Sequence, residues 1–217
     1  MQYLQQRQEV LQAAREIFEA RLVTGTWGNV SIRIPDKPQL LITPTSMKYE
    51  TMTLEDIVLV DGEQQVLEGE FKPSIETPLH LEIYKKMPEV KAIVHVHSLF
   101  ATSFAVARQS IPVILEETAQ IVGHEIKVAP YAPCGSKQLV ENTMKTLSKN
   151  RKAVLLANHG LMALGGNMAE ALKICYVVER TAQVAIYAKV LGPNHSLRGE
   201  DVELLNKNYK NYGQQKK

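Results

Sequence analysis

The sequence predicts one α/β domain built on a mixed β-sheet. Two patterns lead there: the first part of the chain reads as β-hairpins, and from residue 77 onward helices and strands alternate. The 217 residues also contain no internal repeat, low-complexity segment or linker. That is enough chain for one large core, although length alone leaves room for two small ones.

Leu4, Leu11, Ala14, Phe18 and Leu22 recur at helical spacing. An amphipathic helix is therefore expected over residues 3–22, with Gly25 as its stop. In GNVSIRIP, residues 28–35, Val30, Ile32 and Ile34 alternate with Asn29, Ser31 and Arg33, giving a half-buried strand closed by Pro35. QLLITPTS (39–46) and DIVLVDGE (56–63) are two further strands, and Asp61-Gly62 marks a turn. TPLHLEIYKKMP (77–88) is a helix with Thr77 as cap, Pro78 in its first position and Pro88 as terminator.

A strand over KAIVHVH (91–97) leads into a helix over 98–109 capped by Ser98. IPVIL (111–115) and EIKVAPY (125–131) read as short strands. Ser136 caps a helix over 136–150, and KAVLLAN (152–158) is a buried strand. Asn167, with Glu170 three residues on, opens the longest helix, which Gly192-Pro193 closes. A short amphipathic helix over 201–209 follows.

Composition excludes several roles. Hydrophobic residues make up 45% and charged residues 22%, as in an average globular protein. The net charge of +2, from 25 basic and 23 acidic side chains, lacks the basic stripe of a nucleic-acid binder. The lysines of the QQKK end read as a solvated tail. No stretch approaches the roughly 18 apolar residues a membrane span needs, and the first residues show no secretion signal. Cys134 and Cys175 have no CxxC spacing. They read as reduced cysteines of a cytoplasmic protein, Cys175 in a helix core, and neither as a ligand or a nucleophile.

The chemistry concentrates at AIVHVHS, residues 92–98. On a strand, residues i and i+2 face one side, roughly 6.5–7 Å apart. His95 and His97 can therefore reach one metal ion while Val94 and Val96 pack the opposite face. Alone, such a pair fits two polar side chains bonded to neighbours equally well. A third imidazole, His159, follows the buried strand 152–158 beside Gly160, where the chain can turn sharply. If the two strands are neighbours, three imidazoles converge and leave a position open, which is the pattern of catalytic zinc sites.

Glu76 stands at the mouth of the helix just before the HxH strand. A carboxylate there can join a metal shell or accept a proton from substrate, or it can merely stabilise a helix N-terminus. His80, four residues on, is a rival ligand whose Leu79 and Leu81 neighbours suit a packed histidine better. His124 and His195 read as surface or loop residues.

These segments together resemble the class II aldolase/adducin family, near its fuculose-1-phosphate aldolase branch. GTWGNVSIR, ITPTSMKYE, KPSIETPLH, IVHVHS, APYAPCGS and LLANHG follow in family order and spacing. The match spans nearly the whole length, so residues 1–217 are read as one such domain. The resemblance implies a largely antiparallel mixed sheet with helices packed on both faces. It implies a divalent ion, Zn2+ or another such as Mn2+ or Co2+, held by His95, His97 and His159. Glu76 would be its ligand at rest and the acid/base in turnover. Phosphate would bind at Gly28, Asn29, Thr45, Ser46, Ser74 and Ile75, with Lys48 nearby. Tyr212, next but two to Tyr209, would come from a neighbouring subunit as proton donor in a homotetramer with sites between subunits.

The implied reaction is cleavage of a small ketose 1-phosphate to dihydroxyacetone phosphate and an aldehyde, through an enediolate that the metal stabilises. Four residues depart from the aldolase pattern. Ser46 replaces a glycine. Ile75 replaces a phosphate-holding serine, removing a hydroxyl bond worth roughly 0.5–1.5 kcal/mol. Glu116 and Glu117 stand where the aldolase branch has a tyrosine. Acidic residues there resemble the sugar-phosphate 4-epimerase and dehydratase branches. The alternative reaction is therefore epimerisation, dehydration or decarboxylation at the same metal site. An adducin-like role in protein contacts would not need the three histidines and Glu76.

Overall fold

The computed structural model describes residues 1–147 and 151–209. Its strands are β1 (Asn29–Arg33), β2 (Gln39–Ile42), β3 (Val58–Asp61), β4 (Val66–Glu68), β5 (Ala92–Val96), β6 (Val128–Ala129), β7 (Ala153–Leu156) and β8 (Gly160–Gly165). The helices are α1 (Leu4–Glu19), α2 (Thr77–Lys86), α3 (Leu99–Ala107), α4 (Glu116–Ile121), α5 (Lys137–Leu147), α6 (Met168–Leu191) and α7 (Gly199–Tyr209). The strands form one eight-stranded sheet in the order β4-β3-β2-β1-β5-β8-β7-β6. Every pair is antiparallel except β6 with β7. The largely antiparallel mixed sheet is thus the one expected.

Alternation along the central strands divides the core. Val30, Ile32, Val94 and Val96 pack into one buried cluster with α1, α3 and α6. Ile93 joins a second with Leu79 and Ile83 of α2 and Leu139 of α5. Asn29 pairs with His95, and Ser31 with Ile93, so Asn29, Ser31 and His95 share the α2 face. Slipping β5 by one residue would drive His95 into the first cluster and expose Val94 to the second. Each such aliphatic burial is worth about 1.5–3 kcal/mol, so the apolar residues fix where the histidine points.

Several local expectations change. Helix α1 stops at Glu19 rather than at Leu22, because Arg21 adopts left-handed backbone and the Leu22 N–H donates to Ile17 O. IPVIL forms no strand: Ile111 makes a single bridge to Ile126, and Pro112 has no N–H to extend it. EIKVAPY contributes only Val128–Ala129 to the sheet, stopped by Pro130. Thr77 is the first residue of α2, and Glu76 is its N-cap. Ser98 occupies the N-cap of α3, but its side chain makes no capping bond. Asn167 does cap α6, accepting from the Glu170 N–H at 2.8 Å. The Leu139 N–H likewise donates to Ser136 Oγ at 3.2 Å.

The sequence pattern also missed β4, β8 and α4. The first is a three-residue edge strand and the last has only six residues, too short for periodicity to register. The middle one, GLMALG, is a continuous apolar run bounded by glycines, and it completes a hairpin with β7.

Candidate active site

That hairpin brings the third histidine in. The strands carrying His95 and leading to His159 are not neighbours; β8 lies between them and pairs with both. His159 sits in the β7–β8 turn, where Asn158 has left-handed backbone. Gly160 is required for packing rather than for a sharp turn: a Cβ there would lie 2.3 Å from Val96 O and 3.0 Å from His97 Cδ2. Gly28 meets the same strand one residue lower. A Cβ on it would lie 2.7 Å from His95 O, and its φ of +87° suits glycine.

The three rings face one point. His97 Nε2 lies 2.9 Å and His159 Nε2 3.2 Å from His95 Nε2. Ring centroids are 4.7–4.8 Å apart with interplanar angles of 68–83°. His95 Nδ1 lies 3.0 Å from Leu161 O, which can only accept, so the proton is on Nδ1 and the Nε2 lone pair points into the cluster. Glu76 Oε2 lies 3.1 Å from that Nε2, and Glu76 Oε1 lies 3.9 Å from His159 Nε2. The Asn29 amide donates to Glu76 Oε2 at 2.8 Å, whereas buried Glu76 Oε1 makes no hydrogen bond.

This donor set fits a divalent cation. A tetrahedral ion with metal–nitrogen bonds of about 2.05 Å spaces its ligand atoms about 3.3 Å apart, close to the nitrogen separations here. Burial, then the neighbouring imidazoles, lower the His97 pKa to about 3. Burial and His159 hold His95 well below the ordinary histidine value. Both rings are therefore neutral at pH 7, the state in which an imidazole can bind a cation.

Other residues settle differently. Buried His80 does not group with the other three histidines: its Nδ1 lies 2.7 Å from Ser31 Oγ, which lies 2.8 Å from Tyr84 OH. Burial, partly offset by the nearby Glu76 charge, lowers its pKa to about 4. The unfolded chain, with an ordinary value near 6.5, then binds a proton that the folded one refuses. Stability therefore falls as pH drops from about 6.5 to about 4, by up to about 1.4 kcal/mol per pH unit from this group. Urea unfolding of metal-free protein should show that slope reduced by about one proton in His80→Asn; an unchanged slope would refute the assignment.

His124 is a half-buried loop residue, within the surface-or-loop expectation. It accepts the Lys152 N–H on Nε2 at 3.0 Å. Cys134 was expected to be no ligand, yet its Sγ lies within 4.8 Å of the ligand atoms of Glu76 and His159. Burial and the Glu76 charge push its thiol up to about 12. Its place in APYAPCGS, beside Gly135, was the available signal.

The phosphate candidates collect at one end of the sheet. The Ser74 N–H donates to Thr43 O and the Thr45 N–H to Lys72 O, tying the loop after β2 to the approach to α2. Ser74 is buried and its Oγ accepts from the Glu76 N–H at 3.3 Å. Ile75 is 58% exposed, and Ser46 is exposed with left-handed backbone. One N–H of Asn29 is committed to Glu76. Glu117 pairs with Arg180 at 3.5 Å, and Glu116 is exposed at the start of α4. Tyr212 lies outside the described residues.

Three imidazoles and a carboxylate meet at the end of a largely antiparallel sheet as a group that could hold a divalent metal ion. The chain belongs to the class II aldolase and adducin family: the profile described as Class II Aldolase and Adducin N-terminal domain matches residues 8–186. It is 33% identical over 210 residues to 5-deoxy-D-ribulose 1-phosphate aldolase of Bacillus thuringiensis, covering 97% of this chain and 98% of that one. It is 36% identical over 206 residues to L-fuculose phosphate aldolase of Escherichia coli, covering 94% of each. A solved L-fuculose 1-phosphate aldolase superposes with a TM-score of 0.92 at 34% identity, covering 97% of this chain and 98% of that one. Among the described residues, no helix is long and apolar enough to cross a membrane.

Proposed function

We propose that this chain is a divalent-metal-dependent aldolase that cleaves a small ketose 1-phosphate into dihydroxyacetone phosphate and an aldehyde. The observation that carries it is the convergence of the His95, His97 and His159 Nε2 atoms on one another beside Glu76, whose Oε2 lies 3.1 Å from His95 Nε2 and whose unpartnered Oε1 lies 3.9 Å from His159 Nε2. The names of the relatives favour carbon–carbon cleavage over epimerisation, dehydration or decarboxylation. Imidazole and carboxylate donors suit Zn2+, and also Mn2+ or Co2+. The short nitrogen separations support tetrahedral Zn2+.

His95, His97 and His159 would hold the ion, with Glu76 completing the shell at rest. When bound, the ion supplies positive charge that lowers the cost of negative charge on the substrate's carbonyl and neighbouring hydroxyl oxygens. Asn29 fixes one oxygen of Glu76 and leaves Oε1 free to take a proton and return it. In cleavage, the hydroxyl beyond the scissile bond loses its proton and becomes the aldehyde. The bond's electron pair stays with the three-carbon fragment, which gains a proton on carbon through Glu76. Tyr212 of a neighbouring subunit exchanges the proton on the aldehyde oxygen. This route asks no acid–base step of Glu116 or Glu117.

The phosphate is assigned to Gly28, Asn29, Thr45, Ser46, Ser74 and Ile75, beside the N-terminus of α2, where the helix dipole favours an anion. A homotetramer is supported by exposed Leu99, Val106, Tyr187, Val190 and Leu191 on α3 and α6, apolar surface a second copy can cover. Two free cysteines suit a cytoplasmic protein. The test is incubation with a panel of ketose 1-phosphates and product identification by NMR. Dihydroxyacetone phosphate plus free aldehyde is expected; an epimer or loss of water alone would contradict the reading.

A further inference from the structure

We propose that Glu179 is a positioning residue for the metal ligand His97, an inference that rests on the metal-centre reading above. The chain leaves β5 through His97 and Ser98 and enters α3 at once. The first N–H groups of a helix need acceptors, and Ser98, at the N-cap, supplies none. Glu179 of α6, 81 residues away in sequence, takes over. Its carboxylate accepts from Ser98 Oγ at 2.6 Å, the Phe100 N–H at 2.9 Å and the Ala101 N–H at 2.8 Å.

These three bonds to an ion are stronger than bonds between neutral groups, and a negative charge at a helix N-terminus complements its dipole. One helical turn earlier, Cys175 Sγ contacts Val94 O at 3.9 Å. A single face of α6 therefore grips β5 below the histidines and the chain just above them. His97 is the ligand most in need of this. It lies past the last paired residue of β5, Val96, whereas His95 sits within the ladder and is tied to Leu161 O. Glu179 acts on His97 through the backbone of Ser98 and the start of α3, and does not itself face the cluster.

The test is Co2+ titration of metal-depleted protein against a competing chelator, read by visible absorption. Three proteins are compared: wild type, Glu179→Gln and Asn167→Ala. The last removes a helix cap at the other end of the sheet, so it controls for general loosening. Outer-shell partners typically change metal affinity by 10–100-fold. Glu179→Gln is expected to bind Co2+ at least tenfold more weakly, with Asn167→Ala within twofold of wild type. Equal weakening of both variants, or a Glu179→Gln loss under threefold, would overturn the proposal. Should Glu179→Gln not fold, Ser98→Ala removes one of the three bonds. A loss of threefold or more is then expected, and wild-type affinity would overturn it. A wild type that takes up no cobalt sinks the metal-centre reading itself; a cobalt-binding wild type matched by Glu179→Gln sinks this inference alone.

Discussion

His97→Ala is expected to strip the protein of its divalent ion and abolish turnover while leaving it folded. His97 is one of three imidazoles whose Nε2 atoms converge within about one ligand spacing. Removing it deletes a bond to the ion directly, so affinity should fall by more than the roughly 100-fold seen at the upper end for outer-shell changes. The ring is only partly buried and lies beyond the last paired strand residue, so truncation leaves no core cavity. Elemental analysis after gel filtration, beside circular dichroism, checks this. A folded variant that retains its full complement of metal would refute it.

Glu76→Gln is expected to retain metal and lose catalysis. The amide keeps the volume and can still accept from Asn29, which now bonds Glu76 Oε2 at 2.8 Å. It cannot take up a proton on the oxygen that has no partner. Loss of a general acid–base typically costs about 10²–10⁴-fold in rate, and kcat for cleavage should drop within that range. Since three imidazoles remain, metal content should stay close to one ion per chain at micromolar excess. A variant turning over within threefold of wild type would remove Glu76 from the proton's path.

The HxH strand was readable because β-strand alternation is local: Val94 and Val96 go one way and the imidazoles the other. His159 was readable as a residue but not as a neighbour. The hairpin partner that carries it to β5 is an apolar run between glycines, with no polar alternation to mark it as a strand. Glu76 was legible through its place before Pro78, while its oxygen held by Asn29 depends on a pairing of β1 with β5 that no local pattern encodes. Cys134 reaches the site, and Glu179 the start of α3 beside it, only through tertiary packing. A glutamate in mid-helix carries no sign that it caps another helix 79 residues back. Short elements such as α4 and β4 escape because fewer than two periods of any pattern fit within them.

X-ray absorption at the metal edge of the purified protein addresses the ligand cluster most directly. The account predicts one ion per chain with a first shell of nitrogen and oxygen, including the multiple-scattering signature of about three imidazoles. Protein that stays fully active without any bound ion, or a shell in which imidazole is missing, would contradict it.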